Sequence, residues 1–219
     1  MGVVQNRVYR MKSAGKGGAR CSRCKDVKPV FKLTNDRFCS ECFASLFEKR
    51  MHHELPPADL INRHAVLIDN ESPASRLISL FVKKLRQRFN KRIRVGRIIG
   101  RRLRTRRLEP KGRDKAEVVI LPLTADDVII AFLAGLISNK EAGHKGLTGC
   151  LKGSVMIAPL AGFFRSEIDC FMKINGIVTK AGYPKHSRLD SDLLGILNGI
   201  EARHQGVKAA LIRCALSHK

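Results

Sequence analysis

Short β-branched runs alternate with helical periodicity across residues 64–174, and two close cysteine pairs lie upstream of them. Together these features predict a parallel-sheet α/β domain preceded by a small metal-binding module. The pairs are Cys21-Ser-Arg-Cys24 and Cys39-Ser-Glu-Cys42, separated by fourteen residues. Each pair brings two thiolates together on a tight turn, and four thiolates satisfy one tetrahedral zinc ion. A disulfide framework and a redox or iron-sulfur arrangement are the competing readings. An odd total of seven cysteines, and the lack of an apolar signal segment, favour the structural zinc reading over disulfides. With all four positions cysteine, no ligand position is left open for catalysis.

The elements follow in order. Residues 1–20 are polar, basic and glycine-containing and read as a flexible basic arm. Within a module at 21–54, Val27 to Leu33 is a strand candidate, Asn35-Asp36 a turn, and Phe43, Leu46 and Phe47 recur at helical spacing. His52 and His53 read as surface residues, because the cysteine set is already complete. Pro56-Pro57 marks the boundary to an α/β domain at 55–219. There the strand expectations are His64–Ile68, Lys91–Val95, Glu117–Leu121 and Ser154–Ala158. The helix expectations are a start at Pro73, then Asp126–Ile137, Phe164–Ile174 and a mostly helical Ser191–Cys214. No apolar stretch is long enough to cross a membrane, so no membrane partner is expected and the chain is placed in the cytoplasm.

Charge supplies the next signal. Lysine and arginine number 42 against 19 acidic residues, a formal net charge of +23. A basic segment, 83–115, holds sixteen basic residues with only Glu109 and Asp114 as acids. Its centre, with Arg101, Arg102, Arg104, Arg106 and Arg107, calls for a polyanion, and phosphate contact is the economical explanation. Two tyrosines and no tryptophan give weak support for a base-stacking platform. A solvated loop, or a patch for an acidic protein, is the alternative use of this charge.

Several blocks together resemble the family of cytoplasmic tRNA 2-thiolation protein 2. They are Cys21 to Val30, Arg37 to Phe43, Leu123 to Asn139, Val155 to Ile168 and the helical Leu193–Arg213 run. The likeness spans most of Cys21 to Arg213, breaks around residues 82–115, and belongs to a chain shorter than that family's usual length. It implies an adenine-nucleotide alpha hydrolase-like (PP-loop) domain. In the related ATP-using thiolases a serine-glycine-glycine loop wraps pyrophosphate after the first strand. Here that region reads Asn70-Glu71-Ser72-Pro73-Ala74-Ser75-Arg76, without either glycine. Glu71 brings negative charge and Pro73 removes an N–H donor, so this loop is read as degenerate and ATP is not expected to bind.

No catalytic residue is assigned. Cys150, Cys170 and Cys214 lack an activating motif, and Cys170 and Cys214 suit buried helical faces. Asp126-Asp127 and Glu167 suit helix N-termini better than a magnesium or acid–base site. His144 reads as a surface loop residue, and His64, His186, His204 and His218 form no ligand set. The resemblance implies a non-catalytic subunit of the complex that 2-thiolates the wobble uridine, U34, of cytosolic tRNA. Its partners would be the catalytic tRNA thiolase subunit, tRNA itself and, indirectly, a ubiquitin-like sulfur-carrier pathway. A free-standing zinc-containing RNA-binding or ribonucleoprotein assembly protein is the second reading. An ATP-dependent tRNA-modifying enzyme is the third.

Overall fold

The computed structural model describes residues 20–25, 28–33, 36–89, 93–99, 117–137, 150–151, 154–179, 181–184, 187–204 and 206–217. Residues 1–19 of the basic arm, Arg101 to Arg107 and His144 lie outside them, as do His186 and His218. A two-stranded antiparallel hairpin comes first, β1 (Phe31–Leu33) with β2 (Asp36–Phe38), in register Phe31 to Phe38. Asp36 therefore opens a strand instead of sitting in the turn. Helix α1 (Ser40–Glu54) follows directly.

The main sheet is built from β3 (His64–Asp69), β4 (Arg94–Ile99), β5 (Val118–Ile120), β6 (Cys150–Leu151) and β7 (Ser154–Ile157). Their spatial order is β4-β3-β5-β7-β6. The first four run parallel, and β6 pairs antiparallel with β7 at one edge. The parallel α/β expectation holds. Strand β4 begins later than the sequence pattern suggested and runs on to Ile99, taking Arg97 into the ladder opposite Leu67. Basic residues had hidden the end of that strand.

β3 is central and buried on both sides, as its unbroken apolar run requires. Ala65 and Leu67 join Val118 and Ile120 in a core shared with α1, α2 (Pro73–Arg88) and α4 (Arg165–Ile174). Val66 and Ile68 pack with Val119, Leu121 and Met156 in a separate cluster. Helix α3 (Ala125–Ile137) gathers with α5 (Arg188–Arg203) and α6 (Val207–Ser217) around Val128, Phe132, Leu197, Ile212 and Ala215. The expected Ser191–Cys214 helix is thus two helices. The break is at Gly206, whose φ of 94° suits a residue without a Cβ. Glu201 secures it by accepting the backbone N–H groups of Gly206 (2.8 Å) and Lys208 (2.9 Å). Cys214 is exposed, and Ile212 and Ala215 take the buried positions instead.

Helix α1 is fastened into the main core by rings and by one ion pair. Phe43 packs at a tilt against Phe31 (4.4 Å between centroids) and leads to Phe47, which meets Phe163 (4.6 Å) and stacks on Phe171 (4.3 Å). One turn further along, Arg50 lies over the Phe163 ring at 4.1 Å. It donates to Glu167 Oε1 (2.5 Å) and to the Gly162 carbonyl (2.8 Å). Glu167 is 1% exposed, and its other oxygen accepts the Phe164 N–H (2.9 Å), capping α4. Burial raises the Glu167 pKa, while Arg50 and the Phe164 N–H pull the other way.

Arg50→Ala leaves that carboxylate buried without its cation. A cost of roughly 2–4 kcal/mol is expected, at the lower side of the range for buried pairs because Arg50 is partly exposed. The raised pKa gives the sign of the pH dependence. The missing attraction matters only while Glu167 is ionised, so the penalty should shrink as pH falls and the carboxyl protonates. Urea unfolding of wild type and variant across a pH series checks this. A penalty that grows with acidity would remove Glu167 as its source.

Candidate metal centre and the turn after the first parallel strand

The four cysteines converge through local backbone devices. Lys25 adopts φ of 65°, and its N–H bonds the Cys21 carbonyl (3.0 Å), closing the first knuckle. Ser22 then clips this knuckle to β2. Its N–H donates to the Arg37 carbonyl (2.7 Å), and its hydroxyl accepts the Arg37 N–H (2.9 Å). Arg37 stands two residues before Cys39, so the clip sets the spacing between knuckles. Cys39 is itself the N-cap of α1, its sulfur accepting the Cys42 N–H at 3.4 Å.

The result is that all four Sγ atoms lie within 4.8 Å of one another, with Cys24 and Cys39 at 3.9 Å. A tetrahedral zinc with Zn–S bonds of about 2.3 Å holds its sulfurs about 3.8 Å apart. The separations fit a single ion. A cubane cluster, with one thiolate directed outward from each iron, needs its ligands spread more widely. Cys21 and Cys39 are buried, while Cys24 and Cys42 are partly exposed. Burial opposes ionisation of Cys21, yet the N–H groups of Cys24, Cys39 and Arg23 bring it down to about 6. Cys42 is pushed up to about 12, first by its thiol contact with Cys39 and then by burial. Sulfurs this close do not ionise together without a cation among them, and a bound dication would supply that charge. His52 and His53 are exposed on the last turn of α1, apart from this group.

The second site is the turn from β3 into α2. Strand order reverses between β3 and β5, and in open parallel sheets ligands bind at the carboxyl ends of the strands flanking such a point. Here the N–H groups of Glu71, Ser72 and Ser75 are already engaged. Asp69 Oδ1 accepts the Glu71 N–H (2.8 Å), and Asn70 Oδ1 accepts that of Ser72 (3.2 Å). Ser72 caps α2 by accepting the Ser75 N–H (3.2 Å), and the Ser75 hydroxyl donates back to the Ser72 carbonyl (3.0 Å). Pro73 has no N–H to offer. Glu71 sits at φ of 61°, a left-handed conformation that a glycine adopts without strain. The sequence singled out Glu71 as the negative charge in the loop. In the structure Asp69 is the buried acid that takes a donor, while Glu71 and Arg76 are exposed.

The remaining acidic candidates are structural ties. Asp127 accepts from the Thr124 N–H and hydroxyl (2.9 and 2.6 Å), capping α3, and pairs with Arg165 (2.5 Å). Asp126 does not cap its own helix. It accepts the Arg165 N–H at the start of α4 (2.8 Å) and the Lys208 ammonium (3.1 Å). Cys170 is half-buried, and burial pushes its thiol up to about 11. Sequence reasoning missed Arg50, Arg165 and Lys208 as partners of these acids, since each pair is 38 to 117 residues apart.

No protein-family model matches this sequence, and no curated protein matches it. Among solved structures the fold is similar to that of the U34-tRNA thiolase NcsA from Methanococcus maripaludis, determined with its [4Fe-4S] cluster. The match has a TM-score of 0.69 at 13% identity and covers 91% of this chain and 88% of that one. The two chains share the parallel PP-loop-type α/β fold, here with a four-cysteine group at its N-terminal side.

Serine is a good helix N-cap, so Cys39→Ser removes one metal ligand while keeping the start of α1. Purified wild type should carry one metal ion per chain by elemental analysis, and the variant substantially less. Hydrogen exchange should rise first in residues 21–38, with α1 still protected through Phe43 and Phe47 in the core. Wild-type protein without metal would overturn the assignment.

Proposed function

We propose that this chain is a non-catalytic subunit of the machinery that 2-thiolates wobble uridine U34 of cytosolic tRNA. The observation that carries the reading is the turn after β3. In a thiolase-like fold this is the place for nucleotide phosphate, and here Asp69, Asn70 and Ser72 accept the N–H groups of Glu71, Ser72 and Ser75. A catalytic partner would then supply ATP-dependent activation of the uridine and receive sulfur through the ubiquitin-like carrier. Cys170, held as a thiol by burial, adds no ready nucleophile. The cysteine group holds zinc in this reading, because the sulfur spacing suits a single tetrahedral ion. Residues 21–54 serve as the zinc module and 55–219 as the degenerate nucleotide domain. Both work in the cytoplasm.

The basic segment presents the complex to tRNA. Its first part is the end of α2, where Lys83, Arg86 and Arg88 are exposed. Arg101, Arg102, Arg104, Arg106 and Arg107 continue it outside the described residues. Replacing those five arginines by alanine should weaken tRNA binding regardless of sequence. The slope of log affinity against log salt should fall by about one for each lost phosphate contact.

The deciding experiment is native capture of the tagged chain, followed by a tRNA 2-thiolation assay on the recovered complex and a salt series with the five-arginine variant. Recovery of an ATP-using thiolase with thiolation activity supports the proposal. Recovery of ribosomal or other RNA particles alone supports the free-standing RNA-binding protein. ATP–pyrophosphate exchange by the isolated chain would overturn the non-catalytic reading. An unchanged salt slope, with folding and partner capture intact, would assign the arginines to a protein contact.

A further inference from the structure

Helix α5 has an outer face that follows a coiled-coil repeat with no second helix on it among the described residues. Leu189, Asp192, Ile196, Gly199 and Arg203 recur at alternating spacings of three and four along it. Leu197 turns to the opposite side and is buried with α3 and α6. Leu189 is 51% exposed and Ile196 60% exposed, although an isolated helix face in water is ordinarily polar. Leu193 and Ile200 flank the stripe on one side and are half-buried, while Gly195 and Ala202 flank it on the other and are exposed. A methyl group added at Gly195 or Gly199 meets nothing within 4 Å among the described residues.

We infer that this face pairs antiparallel with α5 of a second copy of the chain. The commitment to a second copy comes from the self-complementarity of the stripe. In an antiparallel pair with twofold symmetry, Ile196 of one copy lies opposite Gly199 of the other, and each isoleucine side chain fills the space the glycine leaves. The same register sets Asp192 of one copy against Arg203 of the other, twice across the interface. Leu193 then meets Ile200, while Gly195 and Ala202 let the backbones approach on the remaining side. An acid near the N-terminus and a base near the C-terminus attract in the antiparallel arrangement; a parallel one sets like charges together. In the single chain Arg203 lies back along this face, its Nε 3.3 Å from the Gly199 carbonyl, and is exposed to a partner. A helix of 16 residues makes a short contact, so association depends on protein concentration.

Sedimentation equilibrium of the metal-loaded full chain tests the pairing. Wild type should self-associate to a dimer, and Ile196→Glu should weaken that by more than about tenfold without changing the circular dichroism spectrum. Asp192→Arg sets two arginines together at each end and should weaken association by a similar factor. Arg203→Asp added to Asp192→Arg should restore it, which only a direct pair between those positions explains. The charge swap decides the matter if Ile196→Glu disturbs folding. Wild type that stays monomeric at its highest soluble concentration overturns the inference, as does association unaffected by Ile196→Glu or a double variant that does not recover. Binding of this face to a different protein by a monomeric chain also overturns it.

Discussion

The guanidinium of Arg50, spread over Phe163 and bonded to the buried carboxylate of Glu167, fixes where α1 lies on the main domain. Glu167 also holds the first turn of α4, so one carboxylate serves two helices. Burying it costs free energy that only this cation and these N–H groups offset, which leaves α1 a single favourable position. The phenylalanines then fill in around that position, from Phe31 in the hairpin to Phe171 in α4. Hydrophobic packing supplies the bulk of the stabilisation, but it tolerates sliding. The charged contact does not.

Because Cys39 caps the start of α1 and Arg50 lies near its other end, the candidate metal centre and the core are joined by one helix. The four sulfurs set the start of α1, and Arg50 and Phe47 set its seat on α4. A second charged network does comparable work on the other helices. Asp126, Asp127, Arg165 and Lys208 tie α3, α4 and α6 together just beyond the carboxyl end of β5. The ground next to the strand-order reversal is therefore occupied by ion pairs that hold the fold together.

The sequence made legible those features whose cause is local. The apolar runs at 64–68 and 117–121 marked strands buried on both faces, which read as continuous hydrophobic segments, and the run at 154–158 marked β7 although its Val155 is exposed. Cysteine spacing marked the metal group, since knuckle geometry is set within four residues. Long-range electrostatics were not legible. Nothing near Glu167 announces Arg50, 117 residues earlier, and nothing near Asp126 announces Lys208. The break between α5 and α6 did have a signal, Gly206, masked by apolar residues that kept helical spacing on both sides of it. The left-handed backbone at Glu71 had none in its own composition, because glutamate is not a residue that usually marks such a position.

The turn after β3 carries its own anion. Asp69 is covalently fixed two residues from the donor it engages, so its carboxylate reaches the Glu71 N–H at an effective concentration that a free phosphate does not match. A solute arriving there competes with a tethered ligand that never diffuses away. Putting glycine at position 71 relaxes the backbone and leaves this competitor in place. The missing glycine and the internal carboxylate bond are two separate locks on one turn, and a mutational path to a phosphate cradle has to open both.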